Sequence, residues 1–387
     1  MQSNESLSFK DFQEINTEEW KNKIIADLKG KDYAESLVWQ TKEGFEVDPF
    51  YNSENLGEAE KNLESIQNSQ LNTENPEFGY RYWFNMQKIV VKDLEIANKQ
   101  ALKALQNGAE GIVFYLDSIL SSDNLTVLLN NIKMQYCPVS FYLKKASGEL
   151  LQNLLNFTKK AGIEKEKTSG EIICNLSETN EVEFYSVFEQ LSLFPGYKFQ
   201  INLGPSELSY SEETADVLAK VVKLTDSLVE RGLTADKVLK QISIGINLRN
   251  NYFFEIARMR ALRMLYTEIA NCYEVEYQAS DLTISASTTI KIDEATKEDP
   301  YLNMLSNTSQ AMSGIIGGCT MLTILPHNEG IEEVDEFSMH IARNVSCMLK
   351  DESYFDKAVD PAAGSYYLEK LTTQLAEKTW ELFQVKA

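Results

Sequence analysis

Histidine is nearly missing from this sequence, with two in 387 residues, and cysteine and proline are sparse at five and eight. Cys137, Cys174, Cys272, Cys319 and Cys347 stand far apart with no Cys-x-x-Cys pair. That spacing excludes the disulfide framework of a small secreted domain and leads us to expect a reducing, cytoplasmic setting. With no clustered His and Cys, no metal site is expected either. Cationic charge is short as well: 37 Lys+Arg against 58 Asp+Glu gives 37 − 58 = −21. Nucleic acid and anionic membranes are therefore not expected as partners, because phosphate binding needs Lys and Arg to displace counterions. Met1 to Lys10 lacks the cationic start and apolar core of a secretory signal. The most apolar stretch, Ile315 to Leu325, is too short to span a bilayer and is broken by Gly317, Gly318 and Thr320, so it reads as a buried strand.

What the sequence does hold is core-forming material, 43% hydrophobic and 10% aromatic, which argues against global disorder. Asn16 or Thr17 can cap a helix carrying Trp20, Ile24, Ile25 and Leu28 and stopping at Gly30, and Leu37 to Trp39 suits a short strand. Gly44 to Tyr82 is rich in Asn, Glu, Ser and Gln and too long for an ordinary connection, so residues 1–82 read as an amino-terminal arm that wraps a partner. From Trp83 the texture becomes short apolar runs alternating with amphipathic stretches, the pattern of βα units. Strands are expected near Met86–Val91, Gly111–Leu116, Pro138–Leu143, Glu171–Asn175, Lys198–Leu203, Gln241–Ile246, Asp281–Ser285 and Cys319–Ile324. Helices such as Leu94–Gln106, Glu149–Lys160, Glu212–Arg231, Tyr252–Cys272, Tyr301–Ile315 and Phe337–Lys350 fall between them. Eight strands within 350 − 83 + 1 = 268 residues match the about 250 residues of a closed α/β barrel of the TIM, or (β/α)8, type. A doubly wound open sheet is the alternative, since strand order is invisible in sequence. Residues 83–387 are taken as the barrel, with a last amphipathic helix, Tyr366–Phe383, packed outside it.

Barrel chemistry belongs at the carboxyl ends of the strands. Those positions hold Asp117, Asn175, Asn202, Gly204, Asn247, Ser287, Thr288 and Thr323, groups that hydrogen-bond but, Asp117 apart, do not titrate. Asp117 reads as a turn cap without a partner base, His327 as a solvated loop residue and His340 as a surface helix residue. Cys174 and Cys319 read as apolar fillers, and Gly314 to Gly318 as a packing site instead of a phosphate cradle. Arg260 and Arg263, three apart on a helix, read as surface partners of acidic residues in preference to a CoA phosphate site.

The block Ile244 to Asn247 together with Phe254 to Arg263 resembles the barrel domain of the methylmalonyl-CoA mutase family, the adenosylcobalamin-dependent acyl-CoA mutases. Phe337 to Asn344 and Val359-Asp360-Pro361-Ala362-Ala363-Gly364-Ser365-Tyr366 to Thr372 agree with it, as do Trp20 to Gly30, Val38 to Gly44 and Pro49-Phe50-Tyr51 upstream. The resemblance implies a (β/α)8 barrel and, in the catalytic chain, three elements that this sequence replaces. Gly204-Pro205-Ser206 stands where a Gly-Tyr-His element brings the histidine donor to the thioester carbonyl. Thr323, within Met321 to Pro326, stands in the Ser-Leu-His-Thr position, and Lys88, within Met86 to Val90, where a radical-directing tyrosine element belongs. The Asp-x-His-x-x-Gly motif of the cobalamin-binding domain has no counterpart before Ala387.

The resemblance therefore implies a non-catalytic small subunit of a heterodimeric isomerase, binding no cofactor itself, with adenosylcobalamin held by a homologous large catalytic subunit. The alternative is a stand-alone acyl-CoA-binding barrel enzyme working with a separate cobalamin protein. Bulky strand residues, Phe114 or its neighbours, are expected to narrow the barrel axis. Trp20, Trp39, Phe50 and Tyr51 are the expected interface anchors of the arm.

Overall fold

A computed structural model describes residues 16–55, 81–203 and 207–386. Eight parallel strands close on themselves: β3 (Phe84–Val90), β4 (Gly111–Leu116), β5 (Val139–Leu143), β6 (Ser169–Cys174), β7 (Gly196–Asn202), β8 (Ile242–Asn247), β9 (Thr283–Ser287) and β10 (Met321–Thr323). Each pairs with the next in sequence, and β10 pairs both with β9 and with β3, so the sheet has no edge. This is the (β/α)8 barrel, and closure removes the open-sheet alternative.

The side-chain alternation of a strand decides which layer each residue serves. In β4 the fully buried Ile112, Phe114 and Leu116 join the main core between sheet and helices, while Val113 and Tyr115 join a separate interior cluster with Met86, Ile173 and Met321. It is therefore the neighbours of Phe114 that face the axis; Phe114 itself faces the helices and stacks on Phe141 at 6.2 Å. Two strands begin later than their apolar runs, because local turns take the first residues. Asp281 accepts from the amide of Gln278 in a short turn before β9, and the left-handed Gly318 lets Cys319 donate to the carbonyl of Gly314 before β10.

The outer layer includes α3 (Leu94–Gln106), capped by Asp93, α7 (Tyr210–Glu230), α9 (Tyr252–Cys272), α11 (Leu302–Gly317), α12 (Glu336–Asp351) and α13 (Tyr366–Lys386). Helix α9 is buried on nearly every side, between the barrel, α11 and α13. This corrects the surface reading of Arg260 and Arg263. Arg260 donates to both carboxylate oxygens of Glu369 at 2.7 Å and to Asp360 at 3.0 Å, all beneath α13. Arg263 meets no carboxylate: it donates to the carbonyls of Ala279, Leu282 and Gly318 at 2.6–2.7 Å, tying together the loops before β9 and β10. The glycine-rich stretch serves close helix-to-helix packing, since a Cβ on Gly317 would stand 2.6 Å from the methyl of Met259 on α9.

The arm begins with α1 (Thr17–Asp27), capped by Asn16, and α2 (Tyr33–Leu37), capped by Asp32. Leu37 thus ends a helical turn, and the strand is the pair β1 (Trp39–Gln40) and β2 (Glu46–Val47), an antiparallel hairpin. Glu43 at its turn is buried and accepts from the amides of Tyr210 and Ser211 at 2.9 Å each, capping α7 with a carboxylate. Residues 56–80 lie outside the described residues. Among the described residues no helix is long and apolar enough to cross a membrane.

Candidate functional site

The carboxyl ends of the strands frame a cavity of about 250 Å³ in the barrel interior. Asn202, Asn247, Ser287 and Thr323 come together on its wall, as strand-end positions should. The other strand-end candidates do not join them. Asp117 is exposed, Asn175 caps a short turn by accepting from the amide of Ser177, and Thr288 is buried accepting from the amide of Leu325. Gly204, Pro205 and Ser206 lie outside the described residues.

Two stacked rings line one side of this space. Tyr115 and Tyr142, from adjacent strands, lie 4.6 Å apart at 21°, above the apolar groups of Met86, Val113, Ile173 and Met321. At the mouth the ammonium of Lys88 pairs with Glu329 and sits 4.7 Å over the Tyr115 ring. Burial, and then the Glu329 carboxylate, push the Tyr115 hydroxyl up to about 12, so it remains a neutral donor at physiological pH.

Below the rings lies a polar layer that the spacing of strand-end residues does not reveal. Glu171 of β6 is 2% exposed. Its Oε2 accepts from Ser285 at 2.7 Å, and its amide donates to Ser140 Oγ at 3.0 Å. Burial raises its pKa, against the hydroxyls of Ser243 and Ser285 and the ammonium of Lys198. Gln200 of β7 donates to Asn202 at 2.6 Å. Gly245 makes room for that pair, since a Cβ there would fall 1.9 Å from Gln200 Nε2 and 2.1 Å from Asn202 Oδ1. The signal for this layer is a carboxylate inside an otherwise apolar strand, Gly170-Glu171-Ile172-Ile173-Cys174, with a glycine two strands away.

Neither histidine lines the cavity. His327 is not solvated: it is 6% exposed, stacked under Tyr301 at 4.7 Å, because the turn after β10 folds back onto the start of α11. His340 is exposed on α12, within 3.0 Å of Asn344 Nδ2. Cys137 and Cys174 are pushed up to about 11 and Cys319 to about 12 by burial, which keeps them as inert thiols, while Cys272 is exposed. Among the described residues no cluster of His, Cys, Asp and Glu could hold a metal ion.

The arm anchors seat on this chain's own helices and on one another. Trp20 stacks on Phe50 at 4.4 Å, Trp39 meets Phe254 at 5.3 Å, and Tyr51 meets Tyr367 at 5.7 Å. Trp39 and Phe50 nevertheless stay 47% and 41% exposed.

The blocks that carry the sequence resemblance turn out to be fasteners. Asp360 and Glu369 of the last block hold Arg260, and Arg343 of α12 donates to Gln87 of β3 and to Glu336 at 3.0 Å each. Fold and site together define a (β/α)8 barrel with a stacked tyrosine pair in the wall of a small interior cavity and a carboxyl-terminal helix locked on by buried ion pairs.

The chain is similar to the methylmalonyl-CoA mutase family. The family model described as methylmalonyl-CoA mutase matches residues 208–386. The methylmalonyl-CoA mutase small subunit of Porphyromonas gingivalis is 31% identical over 97% of this chain and 63% of its own length. That of Propionibacterium freudenreichii subsp. shermanii is 35% identical over 44% of this chain and 27% of its own. A methylmalonyl-CoA mutase of Cereibacter sphaeroides is 26% identical over 94% of this chain and 57% of its own. The chain thus spans about three fifths of the length of the first and third of these relatives.

Proposed function

We propose that this chain is the non-catalytic small subunit of a two-chain mutase, in which a homologous large subunit isomerises (R)-methylmalonyl-CoA and succinyl-CoA. The observation that carries this reading is the narrow barrel interior, with the stacked Tyr115 and Tyr142 in its wall. The cavity is about 250 Å³, below the roughly 300–1,000 Å³ of ordinary ligand pockets. The same small interior weighs against a stand-alone acyl-CoA enzyme. Thr323, Ser287 and Asn247 stand at the active-site end, where Lys88 pairs with Glu329.

Adenosylcobalamin supplies radical chemistry where it is bound. The mouth of this barrel offers the Lys88–Glu329 ion pair and small polar groups, which do not fit the broad face of a corrin. We therefore assign that cofactor to the large subunit of a cytoplasmic assembly and derive no step through it here.

The docking surface in this reading is the half-exposed aromatic patch of Trp39 and Phe50, continued by Phe253 and Tyr366. Aromatic groups of this kind dominate interfaces once desolvated. A tagged chain co-expressed with the homologous large chain should capture it, and Trp39→Ala with Phe50→Ala should weaken capture while leaving thermal unfolding nearly unchanged. No capture by the wild-type chain contradicts the reading.

A further inference from the structure

Two lysines of the outer layer stand without a counterion. With 58 acidic residues against 37 basic, a lysine of this chain commonly meets a carboxylate, as Lys145, Lys160 and Lys240 do at 2.6–3.0 Å. Lys220 and Lys223 of α7 are exposed and make no ion pair or hydrogen bond among the described residues. Helical periodicity sets where they stand. Val217, Leu218, Val221, Thr225 and Leu228 of α7 are buried, which turns Lys220, Lys223, Leu224 and Ser227, at i, i+3, i+4 and i+7, onto one flank of the helix.

That flank faces α6 (Glu181–Leu191), whose Phe184 packs edge-to-face against Phe199 of β7 at 5.7 Å. Between the two helices lies a groove of about 420 Å³, within the roughly 300–1,000 Å³ of small-molecule sites. Leu176, Phe184 and Leu224 rest on the core with only part of their surface and give the groove its apolar wall, while Lys220 and Lys223 line the same groove. Glu181 is the one carboxylate of the lining among the described residues, and Arg231 already holds it at 2.7 Å. The chemistry of the walls selects the ligand. An alkyl chain laid on the apolar wall leaves water, and a carboxylate at its end can meet both ammoniums, which are helix-surface neighbours three residues apart. A neutral or cationic head would leave both lysines unmet.

We propose that the groove between α6 and α7 binds a medium-chain alkyl carboxylate, its chain on Leu176, Phe184 and Leu224 and its head on Lys220 and Lys223. This goes beyond the subunit role and stands or falls separately from it, because the groove lies within one chain and shares no residue with the aromatic patch of the arm. Calorimetric titration of the full chain with sodium octanoate, against octylammonium chloride and octyl glucoside, tests it. One saturable octanoate site per chain is expected, with hexanoate severalfold weaker because it buries two methylenes fewer. Lys220→Gln combined with Lys223→Gln, both on the surface, should weaken octanoate binding by about tenfold. Leu224→Asp, which puts a like charge on the apolar wall, should abolish saturation, and the thermal unfolding of each variant verifies that it is folded. Absence of a saturable octanoate site in the wild-type chain overturns the proposal. So does unchanged affinity in the double lysine variant, and so does octylammonium binding as tightly as octanoate.

Discussion

Outside the barrel, Arg260 and Arg263 of α9 are buried, with carboxylates or carbonyls meeting both terminal nitrogens of each guanidinium. Inside it, Glu171 and Gln200 are buried too, and the Glu171 carboxylate meets the hydroxyls of Ser285 and Ser243. Both regions keep polar atoms unpaired among the described residues, Nε of Arg260 and Arg263 outside and Oε1 of Gln200 inside. They differ in how charge is met. Arg260 sits in an ion-pair network that fixes one element on another, because removing either partner strands a charge in a low dielectric. Glu171 is held by hydroxyls, and burial disfavours its charged form. The family resemblance is concentrated in the first kind of region, Arg260 with Asp360 and Glu369, and so reports how the barrel is assembled more than what it does.

The sharpest way to break this comparison is Arg260→Met. It leaves Glu369 and Asp360 uncompensated under α13 and should cost about 3–5 kcal/mol in denaturant unfolding, with amide exchange rising first along α13. A loss under about 1 kcal/mol would mean that the seam is not the fastener described. Gly245→Ala is next: its Cβ collides with Gln200 and Asn202, so a loss of about 1–3 kcal/mol is expected. Glu171→Gln should act in the opposite direction. Burial raises the Glu171 pKa, so the folded state binds more protons than the unfolded chain between the unfolded and folded pKa values, and wild-type stability falls as pH rises through that window. Glu171→Gln lacks this slope. It should be more stable than wild type near pH 7, on the order of 1 kcal/mol, with the gap closing in acid. Paired urea titrations at both pH values check the sign.

Much of the fold was legible because period-2 apolar runs and capped amphipathic stretches are local signals. Gly111–Leu116, Leu94–Gln106 and Tyr252–Cys272 match their expected bounds. The misses came where a tertiary contact overrode a local reading. Arg260 and Arg263 look like surface charges until α13 and the loops before β9 and β10 cover α9, and His327 looks like a turn residue until Tyr301 closes over it. The strand-end positions Asn202, Asn247, Ser287 and Thr323 were readable as a set, since topology alone brings them together. Glu171 was not. In sequence it stands only as the first residue of an expected strand, and barrel closure is what brings it opposite Ser285 across the interior.

The central claim is that this barrel does no chemistry of its own. A turnover assay of the rigorously purified chain, with methylmalonyl-CoA and added adenosylcobalamin, tests it most directly when run with and without the homologous large chain. The account predicts no succinyl-CoA from this chain alone and product when the large chain is present. Cobalamin-dependent conversion by this chain alone would contradict it.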